Sequence, residues 1–381
     1  MAAGMRTCTR CILDTTVPDI KFDEHGVCNY CKLHDIMDQI YPTGVKGEAL
    51  LKPIIENIKK SGKGRNYDCI VGVSGGTDST YCLYLAKKWG LRPLAVHFDN
   101  GWDSEIAVTN IKNATDKLGV DLYTYVTDWE EFKKLQIAFL KASTPDAEVP
   151  TDLGLLGALY RSAIKEKVKY IINGHSFRTE GTSPIGWTYM DGKYIQSVYR
   201  RFTGTNGFRS FPNIKLLTLV NYTIFKRIKL FEPLEYMDYD KTKAGKMLQD
   251  EVGWSYYGGH HHECLYTKFH HYYLLPKKFN IEYRKVSLSA QVRSGITTRD
   301  DALKYLEADP PTLDSQSLKY VINKLGLTEA EFQEIMSLPP RKFSDYPTYK
   351  PTINRLRWFV KTAAKYHLLP YIVYLKYSLV N

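Results

Sequence analysis

The stretch Asp68-Cys69-Ile70-Val71-Gly72-Val73-Ser74-Gly75-Gly76-Thr77-Asp78-Ser79 constrains this chain more than any other. Cys69 to Val73 is an unbroken apolar run, which reads as a strand buried on both faces. Ser74-Gly75-Gly76 is a turn in which glycine permits positive φ and a close approach of the main chain. Asp78 and Ser79 open a segment with helical apolar spacing (Leu83, Leu85, Ala86, Trp89). In that order, turn amides and the positive end of a helix dipole meet at one place and form a cradle for phosphate. A glycine turn that only packs a helix on a sheet looks the same locally, so the surrounding chain has to decide.

Around this turn, strand and helix patterns alternate. A helix from about Lys46 ends at the break Ser61-Gly62-Lys63-Gly64. Leu94 to Phe98 reads as a second strand that delivers Asp99-Asn100-Gly101-Trp102 at its carboxyl end. An amphipathic helix to Gly119, a strand from Leu122 to Val126, and helices to about Ala142 and Lys167 lead to a strand at Tyr170 to Asn173. Such alternation predicts an α/β fold with a doubly wound parallel sheet. Its ligands sit beyond the carboxyl ends of the strands, where Ser74 to Ser79, Asp99 and Gly174-His175 converge. Residues 183–237 look irregular, aromatic and basic, an insertion expected to shape the substrate side or else a solvated connection. Residues 277–381 look helical, with capping-box starts at Thr298 and Thr328.

Four of the seven cysteines are patterned as Cys8-x-x-Cys11 and Cys28-x-x-Cys31. Two such knuckles predict a closed, structural Cys₄ zinc site that stabilises a segment too short for a core of its own; a redox dithiol pair is the alternative. Cys69 and Cys82 read as core. The tract Gly258 to His271 holds His260, His261, His262, Glu263 and Lys268, expected to meet phosphate or a sugar carboxylate rather than a second metal. The net charge of +11 suits nucleic acid, nucleotides, anionic sugars or an acidic partner alike. No signal-peptide pattern or long apolar run is present, so a cytoplasmic protein with no membrane partner is expected. Met1 to Gly4 reads as an extension ahead of a native Met5.

The turn lacks the lysine of a Walker A loop, and Ser-Gly-Gly-x-Asp-Ser resembles the PP-loop of the ATP pyrophosphatases. With Cys8-Thr9-Arg10-Cys11-Ile12-Leu13-Asp14-Thr15, Phe22 to Cys28, His97-Phe98-Asp99-Asn100-Gly101-Trp102 and the Gly259 to Lys268 tract, nearly the whole chain resembles the N-acetyl sugar amidotransferases of bacterial surface-polysaccharide synthesis. That resemblance implies three parts: a zinc-ribbon segment over 1–45, a PP-loop domain over 46–240, and a helical substrate or partner region over 241–381. It also implies conversion of an acetamido group on a nucleotide sugar to an acetamidino group, with ATP and Mg²⁺ as well as the structural Zn²⁺. Val73, Ser74, Gly75, Gly76, Thr77, Asp78, Ser79, Phe98, Asp99 and Gly174 would bind ATP. Asp78, Ser79, His175, Glu180, His261, His262, Glu263 and Lys268 would serve catalysis and substrate contact.

No Gly-x-Cys-x-Gly nucleophile turn is present, so ammonia is expected from a separate glutaminase, with a cyclase-like subunit as a further partner. The rival at this point is a tRNA-modifying PP-loop enzyme of thiolation or lysidine type. Its expected dense basic run and spare Cys-x-x-Cys are not found, so nucleic acid is not the expected partner. A zinc-ribbon adaptor with an inactive nucleotide fold is disfavoured by the intact Ser74, Asp78 and Ser79.

Overall fold

A computed structural model describes residues 4, 6–258 and 263–365. At its centre is a five-stranded sheet, β1 Cys69–Gly72, β2 Pro93–Asp99, β3 Leu122–Val126, β4 Tyr170–Ile172 and β5 Lys229–Phe231. All pairings are parallel, in the order β3-β2-β1-β4-β5. The chain order reverses between β1 and β4, so the crevice for a ligand opens at their carboxyl ends. The period of two along β1 sorts its side chains between two cores. Cys69, Val71 and Val73 join one cluster while Ile70 joins the other.

On the Val71 face lie α2 (Gly44–Gly62), α3 (Thr77–Lys88), α4 (Glu105–Leu118) and α9 (Lys241–Val252). On the Ile70 face lie α5 (Trp129–Ala142), α6 (Val149–Lys165) and α7 (Gly192–Thr203). Leu216–Val220 (α8) runs on into a π-helical turn, and Leu265–Phe269 (α10) runs through another into α11 (Leu275–Phe279). Then come α12 (Arg284–Arg293), α13 (Arg299–Ala308), α14 (Ser315–Lys324), α15 (Glu329–Ser337), α16 (Lys350–Arg355) and α17 (Arg357–Lys365). Val321, Ile322, Phe332 and Ile335 bury themselves in the Ile70-side core, so the carboxyl-terminal helices complete the sheet's own packing. Among the described residues no helix is long and apolar enough to cross a membrane.

Residues 183–237 are more regular than their composition suggests. They contain α7, α8 and the edge strand β5, and Trp187, Tyr189, Tyr194 and Tyr199 are buried. The aromatic run is therefore core rather than a ligand-facing cover, while Arg200, Arg201 and Arg209 stay exposed. A third core joins Cys8, Cys11, Cys28, Cys31 and α1 (Asn29–Ile40) to Phe177, Trp187, Leu275, Ile281 and Val286. The cysteine segment is thus packed against both the middle and the end of the chain.

Candidate active site

The turn after β1 is held from three sides. Gly75 has φ +79°, and a Cβ there would stand 2.4 Å from the Ala107 carbonyl oxygen, so only glycine fits. The Gly75 carbonyl accepts from Asn110 Nδ2 (3.2 Å) and Trp254 Nε1 (2.9 Å). Asn110 in turn pairs with the backbone of Ser255, donating to its O and accepting from its N, both at 2.8 Å. Inside the turn, Ser79 Oγ accepts from Ser74 N (3.1 Å) and lies 3.2 Å from Ser74 Oγ, which accepts from Gly76 N (3.3 Å). Thr80 Oγ1 donates to the Gly76 carbonyl (2.7 Å). The N-cap of α3 is Gly76, with no side-chain cap, which leaves the amides of the first turn for a ligand.

From β4, Gly174 presses on this first turn. A Cβ there would come within 2.8 Å of Asp78 C and Ser79 N. Beyond it, His175 Nδ1 pairs with the Glu180 carboxylate. Burial works against the imidazolium, but the charge and hydrogen bond of Glu180, with Glu232 and Glu235 behind, outweigh it and push the His175 pKa up to about 10. Glu235 is pushed up to about 8 by burial and by Glu232. His175, Glu180, Ser183, His271, Tyr283 and Arg284 line a cavity of about 90 Å³, room for roughly three waters at ~30 Å³ each.

Asp78 accepts from Lys241 Nζ (2.6 Å) and from the Tyr239 hydroxyl. Burial would lower the Lys241 pKa, but Asp78, Tyr257 and Glu180 raise it, so the ammonium is fixed as a cation at the turn. Glu263 also reaches the turn: a Cβ on Gly76 would lie 3.2 Å from the Tyr257 hydroxyl and 3.4 Å from Glu263 Oε1. Below the turn, His97 bridges the Val73 carbonyl (3.0 Å) and Asp103 (3.2 Å).

The structure therefore brings Ser74 to Ser79, Gly174, His175, Glu180 and Glu263 to one edge. Val73 and Phe98 bury their side chains, Val73 in the Val71-side core and Phe98 against Gly154 and Phe132, so neither side chain is open to a ligand. Asp99 Oδ1 accepts from Gly101 N (2.8 Å). Lys268, one turn into α10, lies 4.0 Å from Asp314 and turns toward α14. His261 and His262 lie outside the described residues. Sequence reasoning missed Asn110, Tyr239, Lys241, Trp254 and Tyr257. Only Asn110 left a trace, as a polar residue on the buried stripe of α4.

The four cysteine sulfurs lie within 4.8 Å of one another and all four are buried. Their separations include 3.8 Å (Cys8 to Cys31), 3.7 Å (Cys11 to Cys28) and 3.6 Å (Cys28 to Cys31). A disulfide needs about 2.05 Å. Four thiolates about 2.3 Å from one tetrahedral ion stand ~3.8 Å apart, so the set fits a single metal ion. Backbone N–H groups of Arg10, Cys11 and Cys28 point at Cys8 Sγ (3.3 to 3.4 Å). Arg293 donates to Cys31 and Cys11 (both 3.4 Å), and the thiolates raise its pKa against the cost of burial.

Residues 68–151, the turn with its flanking strands and helices, match the family described as Queuosine biosynthesis protein QueC. The match supports a member of the PP-loop ATP pyrophosphatase superfamily. Members of that superfamily are ATP-using enzymes. Residues 263–361 of this PP-loop protein match the family described as LPS biosynthesis protein WbpG-like, C-terminal domain. The PP-loop protein is 25% identical over 304 residues to Uncharacterized protein MJ1599 of Methanocaldococcus jannaschii, covering 79% of this chain and 92% of that one.

Solved structures with some likeness include the U34-tRNA thiolase NcsA of Methanococcus maripaludis with its [4Fe-4S] cluster (TM-score 0.31, 14% identity, 88% of this chain and 90% of that one). Another is the NMN synthetase of Francisella tularensis (TM-score 0.29, 13% identity, 77% and 98%). A third is a predicted subunit of tRNA methyltransferase from Methanocaldococcus jannaschii (TM-score 0.28, 11% identity, 48% and 75%). Superpositions this loose assign no role to any residue here.

Proposed function

We propose that this PP-loop protein is an ATP-dependent amidotransferase that converts an acetamido group of a nucleotide sugar to an acetamidino group in surface-polysaccharide synthesis, in the cytoplasm. One observation carries the reading. Glu263, the first residue of the region that matches the WbpG-like domain, stands at the Ser-Gly-Gly turn, which supports a reading in which the carboxyl-terminal region brings the substrate to the ATP.

The chemistry accounts for the ATP. An amide carbon is a poor electrophile and its oxygen cannot leave as oxide. Transfer of AMP to that oxygen, with release of pyrophosphate, makes a leaving group; ammonia then adds to carbon, loses a proton, and AMP departs with the oxygen. In this reading the amides of Ser74 to Ser79 grip the β,γ-phosphates, and the backbones at Val73, Phe98 and Asp99 border the adenosine. Lys241 and the protonated His175 place positive charge where the departing pyrophosphate builds negative charge. Asp78 and Glu180 supply carboxylates for Mg²⁺, which neutralises phosphate charge when bound. Glu263 and the neighbouring His261, His262 and Lys268 are assigned to the sugar side. The four cysteines hold a structural Zn²⁺, and ammonia comes from a glutaminase partner with its cyclase-like companion.

Incubation with ATP-Mg²⁺, ammonium and a panel of acetamido nucleotide sugars should give AMP, pyrophosphate and a product with O replaced by NH. Formation of ADP and orthophosphate sinks the proposal. A second reading, modification of tRNA by a PP-loop enzyme of thiolation or lysidine type, is also compatible with the charge of +11. Salt-dependent shifting of tRNA, with AMP formed only when tRNA is present, would establish it instead.

A further inference from the structure

The loop after β4 carries His175 and Glu180, and its outer part is gripped by the two helices that touch the cysteine cluster. On one side is α1, which begins beside Cys28 and contains Cys31. Arg178 reaches it through Asp38 Oδ1 and the Tyr41 carbonyl (both 2.6 Å), and a third bond goes to the Glu235 carbonyl (2.7 Å). Phe177 meets His34 of α1 edge-on at 5.0 Å and shares a core with the four cysteines. On the other side is α12, whose last residue, Arg293, donates to Cys11 and Cys31. Gln291 donates to the Thr179 carbonyl (3.4 Å), and Ser294, just past the helix, donates to the Arg178 carbonyl (3.3 Å). A Cβ on Gly181 would stand 2.7 Å from the Val286 carbonyl, and one on Gly186 2.7 Å from Pro18. Most of these contacts lead back to α1 or α12 and so to the cysteines, the exception being Glu235, which accepts from Phe177 N (3.1 Å) and Arg178.

We infer that the Cys₄ metal site is the anchor that sets the position of His175 and Glu180, and that Arg178 is the positioning residue that transmits it. The metal then has no part in the chemistry. It fixes the spacing of α1 and α12, and that spacing fixes the loop. The phosphate turn has a hold that does not run through this anchor, because Asn110 of α4 and Trp254, just past α9, bind the Gly75 carbonyl. Only the kinetic arm of the test below rests on the proposed function; the structural arm stands without it.

Hydrogen exchange of the full chain, metal-loaded and after chelation, is read on peptides covering 173–188 and 69–88. Chelation should deprotect 173–188 by about 10-fold or more, a local opening, while 69–88 keeps its protection. Unchanged exchange at 173–188, or equal loss in both peptides, overturns the inference. Arg178→Met should retain its metal by elemental analysis yet show the same deprotection, with partial recovery in Arg178→Lys. Metal retained with exchange unchanged at 173–188 again overturns it. In turnover, Arg178→Met should lower kcat by roughly 10²-fold, the scale of a misplaced catalytic group, with KM for ATP nearly constant. A variant that raises only KM for ATP would place Arg178 at the nucleotide instead.

Discussion

Replacing Gly174 by alanine tests whether the meeting of β4 with the first turn of α3 sets the geometry of the site. The added Cβ would stand 2.8 Å from Asp78 C and Ser79 N and 2.9 Å from Asp78 O. All three are backbone atoms, so no rotamer change relieves the contact. Ordinary van der Waals separation begins near 3.5 Å, so the first turn of α3 and the segment just after β4 must part by about 0.7 Å. Overpacking of this kind costs about 1–3 kcal/mol of stability. A shift approaching 1 Å at positioned groups costs up to about 10²-fold in rate, so a loss of roughly 10- to 50-fold in AMP formation is expected. MgATP affinity, read by calorimetry, should fall about tenfold, or about 1.4 kcal/mol. Gly119→Ala is the control: Gly119 has φ +56° with open space around it, so its alanine costs about 1 kcal/mol of stability and leaves nucleotide binding alone. Wild-type affinity and turnover in Gly174→Ala, or equal impairment in both variants, would refute the reasoning.

Lys241→Met removes the cation 2.6 Å from Asp78; a hydrogen bond to a charged group is worth about 1.5–3 kcal/mol, so MgATP should bind roughly 10- to 100-fold more weakly, and unchanged affinity by calorimetry would count against its role. His175 has a folded pKa raised from 6.5 to about 10, so its pairing with Glu180 adds stability that is complete below about pH 6.5 and fades as pH rises through 10. The difference in melting temperature between the wild type and His175→Gln should therefore be largest near pH 6 and shrink by pH 10.5; a difference that grows with pH would contradict the pairing.

What the sequence made legible was whatever was local. The run Cys69 to Val73 announces a strand because both faces of a central parallel strand are buried. The cysteine knuckles announce their cluster because metal geometry is encoded in spacing. Two things escaped. β5 is three residues long, Lys229 to Phe231, too short for any periodicity, and it follows a tract whose aromatic and basic composition suggests a surface. Lys241 and Tyr239 reach Asp78 across more than 160 positions, and the sequence around them, Asp238 to Lys243, shows only a helix cap. For the same reason the partition at 241 conceals that α9 packs on α3 and α4 beside the phosphate turn, while the cysteine segment shares its core with residues 275–286.

The hold on the Gly75 carbonyl has a consequence for how such a site can drift. Its two donors come from α4 and from the residues that follow Gly253, so the orientation of one peptide plane depends on two segments that lie outside the turn's own sequence. A single-residue insertion between Val252 and Ser255 would leave the Ser-Gly-Gly signature intact, yet it would swing the Trp254 indole out of register and detune the grip on phosphate. A reader who inspected the signature alone would still count that chain as competent.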